Sequence, residues 1–297
     1  MRTRRHTIPH TISHGVIALL AVSTALLVGS ASLAEENRES VRVLFVGNSF
    51  TAANGLDTMV KNLIEATHPG WQVETEHVSP GGYQLADHLR DSETPGTVMN
   101  RHFHAPGAHW DVVVLQAQSQ TPALATSSRD RQKLLEAAPQ LARKARQTGA
   151  TVLYFMTWGF PDGDPTNLKW YPDYGTLQKR LAAAYDEMAE KSAPAYVAPV
   201  GLAFEFVYED LWKRQHNPLA KGSRFRQLYG PDSKHPSLAG SYLAAAVITA
   251  SIGGQKVSDS DYTPRGLDPE LAAYLRGVAD RVVFGEVYRQ RRYPWRS

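Results

Sequence analysis

Five short apolar segments, Val41 to Val46, Trp71 to Val78, Asp111 to Leu115, Ala150 to Thr157 and Ala195 to Val200, constrain the fold of this chain more than any other feature. Val112-Val113-Val114-Leu115 offers no polar residue to either face, which is the pattern of a strand buried on both sides of a parallel sheet. Between the segments lie amphipathic stretches, clearest at Asp130 to Gln147 and Tyr174 to Lys191, where Ala and Leu recur at helical spacing among Arg, Lys and Glu. Parallel strands cannot be joined by tight turns and need crossover helices. Alternation of strand and helix therefore predicts an α/β fold, a three-layer α/β/α sandwich around a five-stranded parallel sheet. Loops are marked by Ser79-Pro80-Gly81-Gly82, by Gly159 to Pro165 and by Gly230-Pro231-Asp232. No internal repeat, low-complexity tract or interdomain linker interrupts the pattern.

The residues before the first segment read differently. Residues 1–34 carry Arg2, Arg4 and Arg5, no acidic residue, an apolar run from Gly15 to Gly29 and the small-residue stretch Ser30-Ala31-Ser32-Leu33-Ala34. This is the layout of a secretory signal peptide with cleavage after Ala34, and the run is shorter than the ~20 residues that span a bilayer. Export is expected, to the periplasm or the medium, with no stable membrane span after processing. Arg4-Arg5 leaves a twin-arginine route open. The leader holds three of the 32 basic residues and none of the 29 acidic ones, so the processed chain has 29 of each and is formally neutral. No nucleic-acid partner is expected of a neutral surface. The remaining basic cluster, Arg289, Arg291, Arg292 and Arg296, reads as a solvated tail. The absence of cysteine excludes disulfides, thiolate chemistry and Cys-ligated zinc. Residues 35–297 are long enough for one large domain stabilised by its core.

In an open parallel sheet, reactive groups gather at the carboxyl ends of the strands. The first strand ends in Gly47-Asn48-Ser49-Phe50-Thr51 and runs into an amphipathic helix. A serine at such a turn is exposed to substrate, and neighbouring N–H groups can face the oxyanion formed when it attacks a carbonyl. The same residues could equally be a polar turn in which Ser49 or Thr51 caps the helix. A serine hydroxyl needs an imidazole to take its proton and a carboxylate to orient that imidazole. Asp232-Ser233-Lys234-His235-Pro236 can supply both from one loop, although Asp-x-x-His alone is common in turns.

Gly47-Asn48-Ser49-Phe50 near the start and Asp232-x-x-His235-Pro236 near the end together resemble the first and last sequence blocks of the SGNH (GDSL-like) hydrolase superfamily. The likeness is strongest to a bacterial subfamily with Gly-Asn-Ser-Phe and Leu-Gln-x-Gln-Ser segments. The resemblance implies a flavodoxin-like sandwich and ester hydrolysis through an acyl-serine, with Ser49 as nucleophile, His235 as base and Asp232 as its orienter. It also implies an oxyanion held by the N–H of Ser49, by a glycine N–H and by an amide side chain. Gly82 resembles the glycine block, with Gly81 beside it. Where the family pattern has Gly-x-Asn-Asp, this chain reads Leu115-Gln116-Ala117-Gln118-Ser119-Gln120. A glutamine offers the same donor on a longer stem, so Gln118 is the candidate and Gln116 its alternative. Asn48 stands where many members have Asp, keeping hydrogen-bonding capacity without charge.

After the fourth segment come Trp158, then Trp170, Tyr171 and Tyr174, which either wall a substrate pocket, with Trp158 as substrate-binding residue, or pack beneath the loops. Asp162 and Asp164 are candidates to accept sugar hydroxyls. A rival set, His102, His104 and His109 with Asp111, could ligate zinc, but Ala105-Pro106-Gly107 marks it as a surface connection and no Glu is placed as a base. No metal and no cofactor are expected. The function expected is that of an exported serine esterase acting on a short acyl group, acetyl foremost, in a small-molecule or glycan ester. The alternatives are a lipase-like esterase and a non-catalytic binding module; the oligomeric state is left open.

Overall fold

The computed structural model describes residues 40–285; the expected signal peptide and the Arg289 to Arg296 tail lie outside the described residues. Five parallel strands, β1 (Ser40–Val46), β2 (Gln72–Val78), β3 (Val112–Leu115), β4 (Thr151–Phe155) and β5 (Tyr196–Ala198), form one sheet in the order β2-β1-β3-β4-β5. The three inner strands are the expected apolar runs. Val43 to Val46 and Val113 to Leu115 are at most 1% exposed because helices cover both faces.

The second apolar segment departs from expectation. β2 is an edge strand whose residues are mostly exposed or half-buried, and Val73 alone is buried. Its charged residues serve the edge, since Glu74 and Glu76 receive Arg42 from β1.

The helices fall into two groups flanking the sheet. The short α1 (Ser49–Ala52) leads through one 3-10 turn into α2 (Leu56–Thr67), which packs on α8 (Leu238–Gly253), and α8 in turn packs on α9 (Pro269–Phe284). The other group joins α3 (Leu85–Glu93), α4 (Val98–His104) and α5 (Arg129–Gln147), while α6 (Tyr174–Lys191) and α7 (Val200–Lys213) follow β4 and β5. The expected helices at Asp130 to Gln147 and Tyr174 to Lys191 are present. Ala105-Pro106-Gly107 is the exposed turn expected as a surface connection, but the histidines before it end α4, whose N-terminus is capped by Thr97 and which buries Phe103. α8 is apolar all round and buried nearly throughout, and so behaves as a core element rather than an amphipathic cover. Among the described residues, no helix is long and apolar enough to cross a membrane.

The topology fixes where a site can be. From β1 the chain moves outward to β2, then returns to β3 on the other side, so β1 and β3 flank the point where the strand order reverses. Loops leaving the carboxyl ends of these two strands diverge and open a crevice between them.

Candidate active site

The first loop at this crevice is the turn from β1 into α1. Asn48 caps the helix, its Oδ1 accepting the N–H of Phe50 at 3.1 Å, and its carbonyl accepts the N–H groups of Thr51 and Ala52. The cap is therefore neither Ser49 nor Thr51. Ser49 is left half-buried with its hydroxyl free of the capping role, and among the described residues no carbonyl takes its N–H. The turn is braced from β3: Gln116 Oε1 accepts the Asn48 N–H and the Thr51 hydroxyl, each at 2.9 Å, while its Nε2 donates to the Ala117 carbonyl. A Cβ at residue 47 would lie 2.6 Å from that Oε1 and 2.3 Å from Thr51 Oγ1, so only glycine allows strand and brace to close this tightly.

The loop before α8 brings the second component. His235 Nε2 lies 2.8 Å from Ser49 Oγ, and His235 Nδ1 lies 2.5 Å from Asp232 Oδ2. Asp232 Oδ1 also accepts the N–H groups of Lys234 and His235, at 3.0 and 2.9 Å. Burial opposes ionisation of this carboxyl, but the hydrogen bond from His235 and the two backbone donors outweigh it and hold its pKa at about 2. An Asp232 ionised above about pH 2 keeps a proton on Nδ1 and leaves the Nε2 lone pair for the serine. Asn54 ties the two loops together, donating to the Pro236 carbonyl at 3.2 Å and to Ser241 Oγ at 2.9 Å.

The two remaining loops frame the other side of Ser49. Asn48 Nδ2 donates to the Tyr83 carbonyl at 3.0 Å, which fastens the Ser79 to Tyr83 loop to the serine turn. Gly82 there has φ +75°, a left-handed conformation natural to glycine, and a Cβ at this residue would meet nothing within 4 Å, so conformation rather than space requires it. Gly81 has no such backbone. From the loop after β3, Gln118 Oε1 accepts the Thr121 hydroxyl at 2.6 Å, which orients the amide and leaves Nε2 as a donor. Gly82 and Gln118 line one cleft. Gln116 does not reach it, being 1% exposed with both ends of its amide engaged by the serine turn.

Several expected contacts fall elsewhere. Trp158 is not a pocket wall: it is fully buried, with Phe50 stacked on it at 4.9 Å and 3° and Phe204 at 4.4 Å and 2°. Its Nε1 donates to the Lys234 carbonyl at 3.1 Å, and Phe50 meets the His235 ring edge-on at 5.1 Å. Trp158 thus supports the histidine loop from below. Tyr171 and Tyr174 are also buried, whereas Trp170 is 60% exposed. Asp162 is held by a two-pronged contact from Arg226, and Asp164 is buried under the Thr166 N–H and the Asn167 amide. Asp164 is therefore closed to a substrate, and Asp162 is engaged by Arg226.

The rival histidines lie at the opposite, amino end of the sheet. His109 bonds the Thr148 carbonyl and approaches Asp111 at 3.3 Å, and His102 faces Glu76 at 3.8 Å. Among the described residues, no three His, Asp or Glu side chains are grouped as a metal site.

One residue at the site has no counterpart in the sequence reading. His88, on α3 and fully buried, donates from Nε2 to the Gly47 carbonyl at 2.7 Å, and its Nδ1 has no partner. Burial pulls its pKa below the ordinary histidine value, against the raising influence of the Gly47 carbonyl, Asp91 and Asp87. The neutral ring therefore carries its proton on Nε2 and pins the backbone two residues before Ser49. The spacing Leu85-x-x-His88 sets it on the buried face of the helix, a signal visible in the sequence.

The fold has known counterparts. No protein-family model matches the sequence, and no curated relative matches it either. Among solved structures, a protein of Slackia heliotrinireducens proposed to be an SGNH hydrolase is 28% identical with a TM-score of 0.56, covering 72% of this chain and 100% of its own. This likeness supports placing the chain in the SGNH (GDSL-like) hydrolase superfamily. Others agree in fold: a DUF4886 family protein from Bacteroides uniformis at 17% identity has a TM-score of 0.66 over 83% of this chain and 95% of its own. The acetyl xylan esterase AlAXEase, at 16% identity, has a TM-score of 0.50 over 71% of this chain and 100% of its own. SGNH hydrolases act on ester bonds, and the crevice between β1 and β3 is where this chain presents a serine, an imidazole and a carboxylate.

Proposed function

We propose that this SGNH hydrolase is an exported serine esterase in which Ser49, His235 and Asp232 act as nucleophile, base and orienting carboxylate. The observation that carries the reading is the continuous relay Ser49 Oγ to His235 Nε2 at 2.8 Å and His235 Nδ1 to Asp232 at 2.5 Å. As Ser49 Oγ attacks the ester carbonyl, its proton passes to His235 Nε2 and the carbonyl oxygen takes up the negative charge. The N–H groups of Ser49 and Gly82 and the Nε2 of Gln118 are the donors for that oxyanion. Collapse of the tetrahedral adduct expels the alcohol, which leaves with the proton from His235. Water, deprotonated by the same imidazole, then attacks the acyl-serine; the acyl–Oγ bond breaks, His235 returns the proton to Ser49 Oγ and the acid is released.

A non-catalytic binding module would give these side chains no reason to be bonded in series, so the relay favours the enzyme. Export rests on the leader pattern of residues 1–34. A short acyl group, acetyl foremost, is the substrate portion proposed for Ser49. Hydrolysis of p-nitrophenyl acetate tests the reading: Ser49→Ala is expected to lose at least ~10³-fold in kcat while keeping its thermal unfolding profile. Full turnover by the alanine variant refutes the mechanism, and kcat/KM rising steadily toward long acyl chains replaces the short-acyl assignment with a lipase-like one.

A further inference from the structure

The turn that presents Gln118 has a second side. Thr121, whose hydroxyl orients the Gln118 amide, opens a 3-10 turn that ends at Ala123 and packs between α5 and α6. Two side chains hold this turn: Arg131 of α5 donates from Nε to the Pro122 carbonyl at 3.0 Å, and the Tyr171 hydroxyl donates to the Ala123 carbonyl. Beside these bonds lies a pocket of about 260 Å³. It shares Trp170 and Tyr171 with the cleft lined by Gly82 and Gln118 but touches neither of those two residues. The space exceeds the ~150 Å³ cavity that takes up a benzene ring.

Its chemistry is amphiphilic. Pro122 and Leu124 of the turn, with Ala183 and Ala184 of α6, line it with apolar surface, and Arg131 and Arg180 bring two guanidinium groups. Among the described residues its lining holds one carboxylate, Glu187, and that group is already engaged: Arg131 Nη2 donates to it at 2.5 Å and Lys191 Nζ lies 3.8 Å away. Arg180 is exposed on α6 and among the described residues has neither a carboxylate nor a carbonyl partner. Burial raises the pKa of the Tyr171 hydroxyl while Arg180 and Arg131 oppose the rise, so both guanidinium groups act on the residue that holds Ala123. Lys169, its ammonium 5.4 Å from the Trp170 ring, adds a third cation beside the shared tryptophan. This balance of charge attracts an anion, and a carboxylate matches the fork of a guanidinium. The apolar walls favour an anion with an apolar body over an inorganic one.

We infer that this pocket is a second ligand site, that it takes a small organic carboxylate, and that its occupant clamps the turn carrying Thr121. A carboxylate bridging Arg180 on α6 and Nη1 of Arg131 on α5 leaves the bond from Arg131 Nε to Pro122 in place and draws the two helices together over the turn. A turn held more tightly keeps Gln118 in its donor orientation through Thr121, so occupancy raises kcat at constant KM. The effect on turnover rests on the esterase reading; the binding does not.

Titration calorimetry with benzoate separates the two. Saturable binding is expected in the wild type and equally in Ser49→Ala, with the neutral benzamide and the body-less acetate each about tenfold weaker or more. Arg180→Gln should weaken benzoate about tenfold or more while leaving Tm unchanged, because the replaced side chain is exposed. In steady-state hydrolysis of p-nitrophenyl acetate, saturating benzoate should raise kcat at least about twofold, and the response should vanish in Arg180→Gln and in Gln118→Ala. No saturable binding, equal binding of benzamide, or unweakened binding by Arg180→Gln overturns the site. A KM that climbs with benzoate places it at the serine crevice and overturns the site as well. A kcat that stays level or falls at saturation, or that still rises in Gln118→Ala, overturns the clamp. A folded wild type that binds benzoate but hydrolyses no ester refutes the esterase reading and leaves the ligand site in place.

Discussion

Replacing Trp158 with phenylalanine separates a supporting role from a substrate-binding one. The smaller ring can keep the parallel stack with Phe50 and Phe204 but cannot donate to the Lys234 carbonyl. Two losses follow. The residue is fully buried, so removing about 40 Å³ of side chain at ~24 cal/mol per Å³ costs about 1 kcal/mol. Leaving the Lys234 carbonyl without its donor costs about 1–3 kcal/mol more. Together they predict a destabilisation of about 2–4 kcal/mol, a fall in Tm of about 5–15 °C for a domain of this size. Lys234 lies between Asp232 and His235, and Phe50, whose ring meets the His235 imidazole, rests on the same indole. Relaxation of the loop by even ~1 Å would misplace the base and lower kcat by about a hundredfold, with KM changed less than about twofold. The assay is thermal unfolding beside steady-state hydrolysis of p-nitrophenyl acetate well below the variant's Tm. A variant that keeps both Tm and kcat, or one whose entire loss is in KM, refutes the account and returns Trp158 to the pocket wall.

The two glutamines after β3 should part in their effects. Gln118→Ala is expected to lower kcat about a hundredfold at nearly constant KM and unchanged Tm, whereas Gln116→Ala should lower Tm as well, by leaving the Asn48 N–H and Thr51 hydroxyl without their acceptor; steady-state kinetics and calorimetric unfolding distinguish them. Away from the site, burial and then the neighbouring Glu209 raise the pKa of Glu205 from its ordinary 4.5 to about 7. Because the folded state keeps this proton where the unfolded chain releases it, the stability it contributes is full below about pH 4.5 and lost as pH rises through about 7. Glu205→Gln should therefore stabilise the protein at pH 8, by on the order of 3 kcal/mol at most, and change little at pH 4.5; equal shifts at both pH values in thermal melts would contradict this.

What was legible in the sequence follows from which interactions are local. Val112 to Leu115 announces a central strand because burial on both faces leaves no polar position, whereas the Trp71 to Val78 segment misled: an edge strand needs only one apolar face and here buries only Val73. Ser49 and the Asp232 to His235 loop stand out because each is a compact pattern at a strand end or before a helix. Gln118 and Gln116 could not be separated, since the difference lies in whether the side chain turns toward Asn48 or toward Thr121, 68 and three residues away. Trp158 and Trp170 pose the same difficulty. Both follow β4 in a loop rich in Gly, Pro and Asp, and only the distant Phe204 and Lys234 decide that one is core and the other rim.

The division of labour at the site follows from burial. Asn48, Gln116, Thr51, His88 and Trp158 are all at most 2% exposed. Apart from Nδ1 of His88, their principal side-chain polar groups are engaged with one another or with loop backbone. A buried polar group that loses its partner costs about 1–3 kcal/mol, so each bond in this layer resists opening. Asp232 and His235 lie in a different environment, with side chains 48% and 45% exposed, where an ion pair by itself contributes little. Geometry there cannot be maintained by the reactive groups themselves. It is imposed from beneath, through Trp158 on the Lys234 carbonyl, Asn54 on Pro236 and His88 on Gly47, each reaching one loop from a different element. Such an arrangement lets the imidazole remain solvated enough to exchange protons while its distance from Ser49 is set by a buried, hydrogen-bonded layer. Preorganisation of this kind places the ordering cost in folding rather than in each turnover.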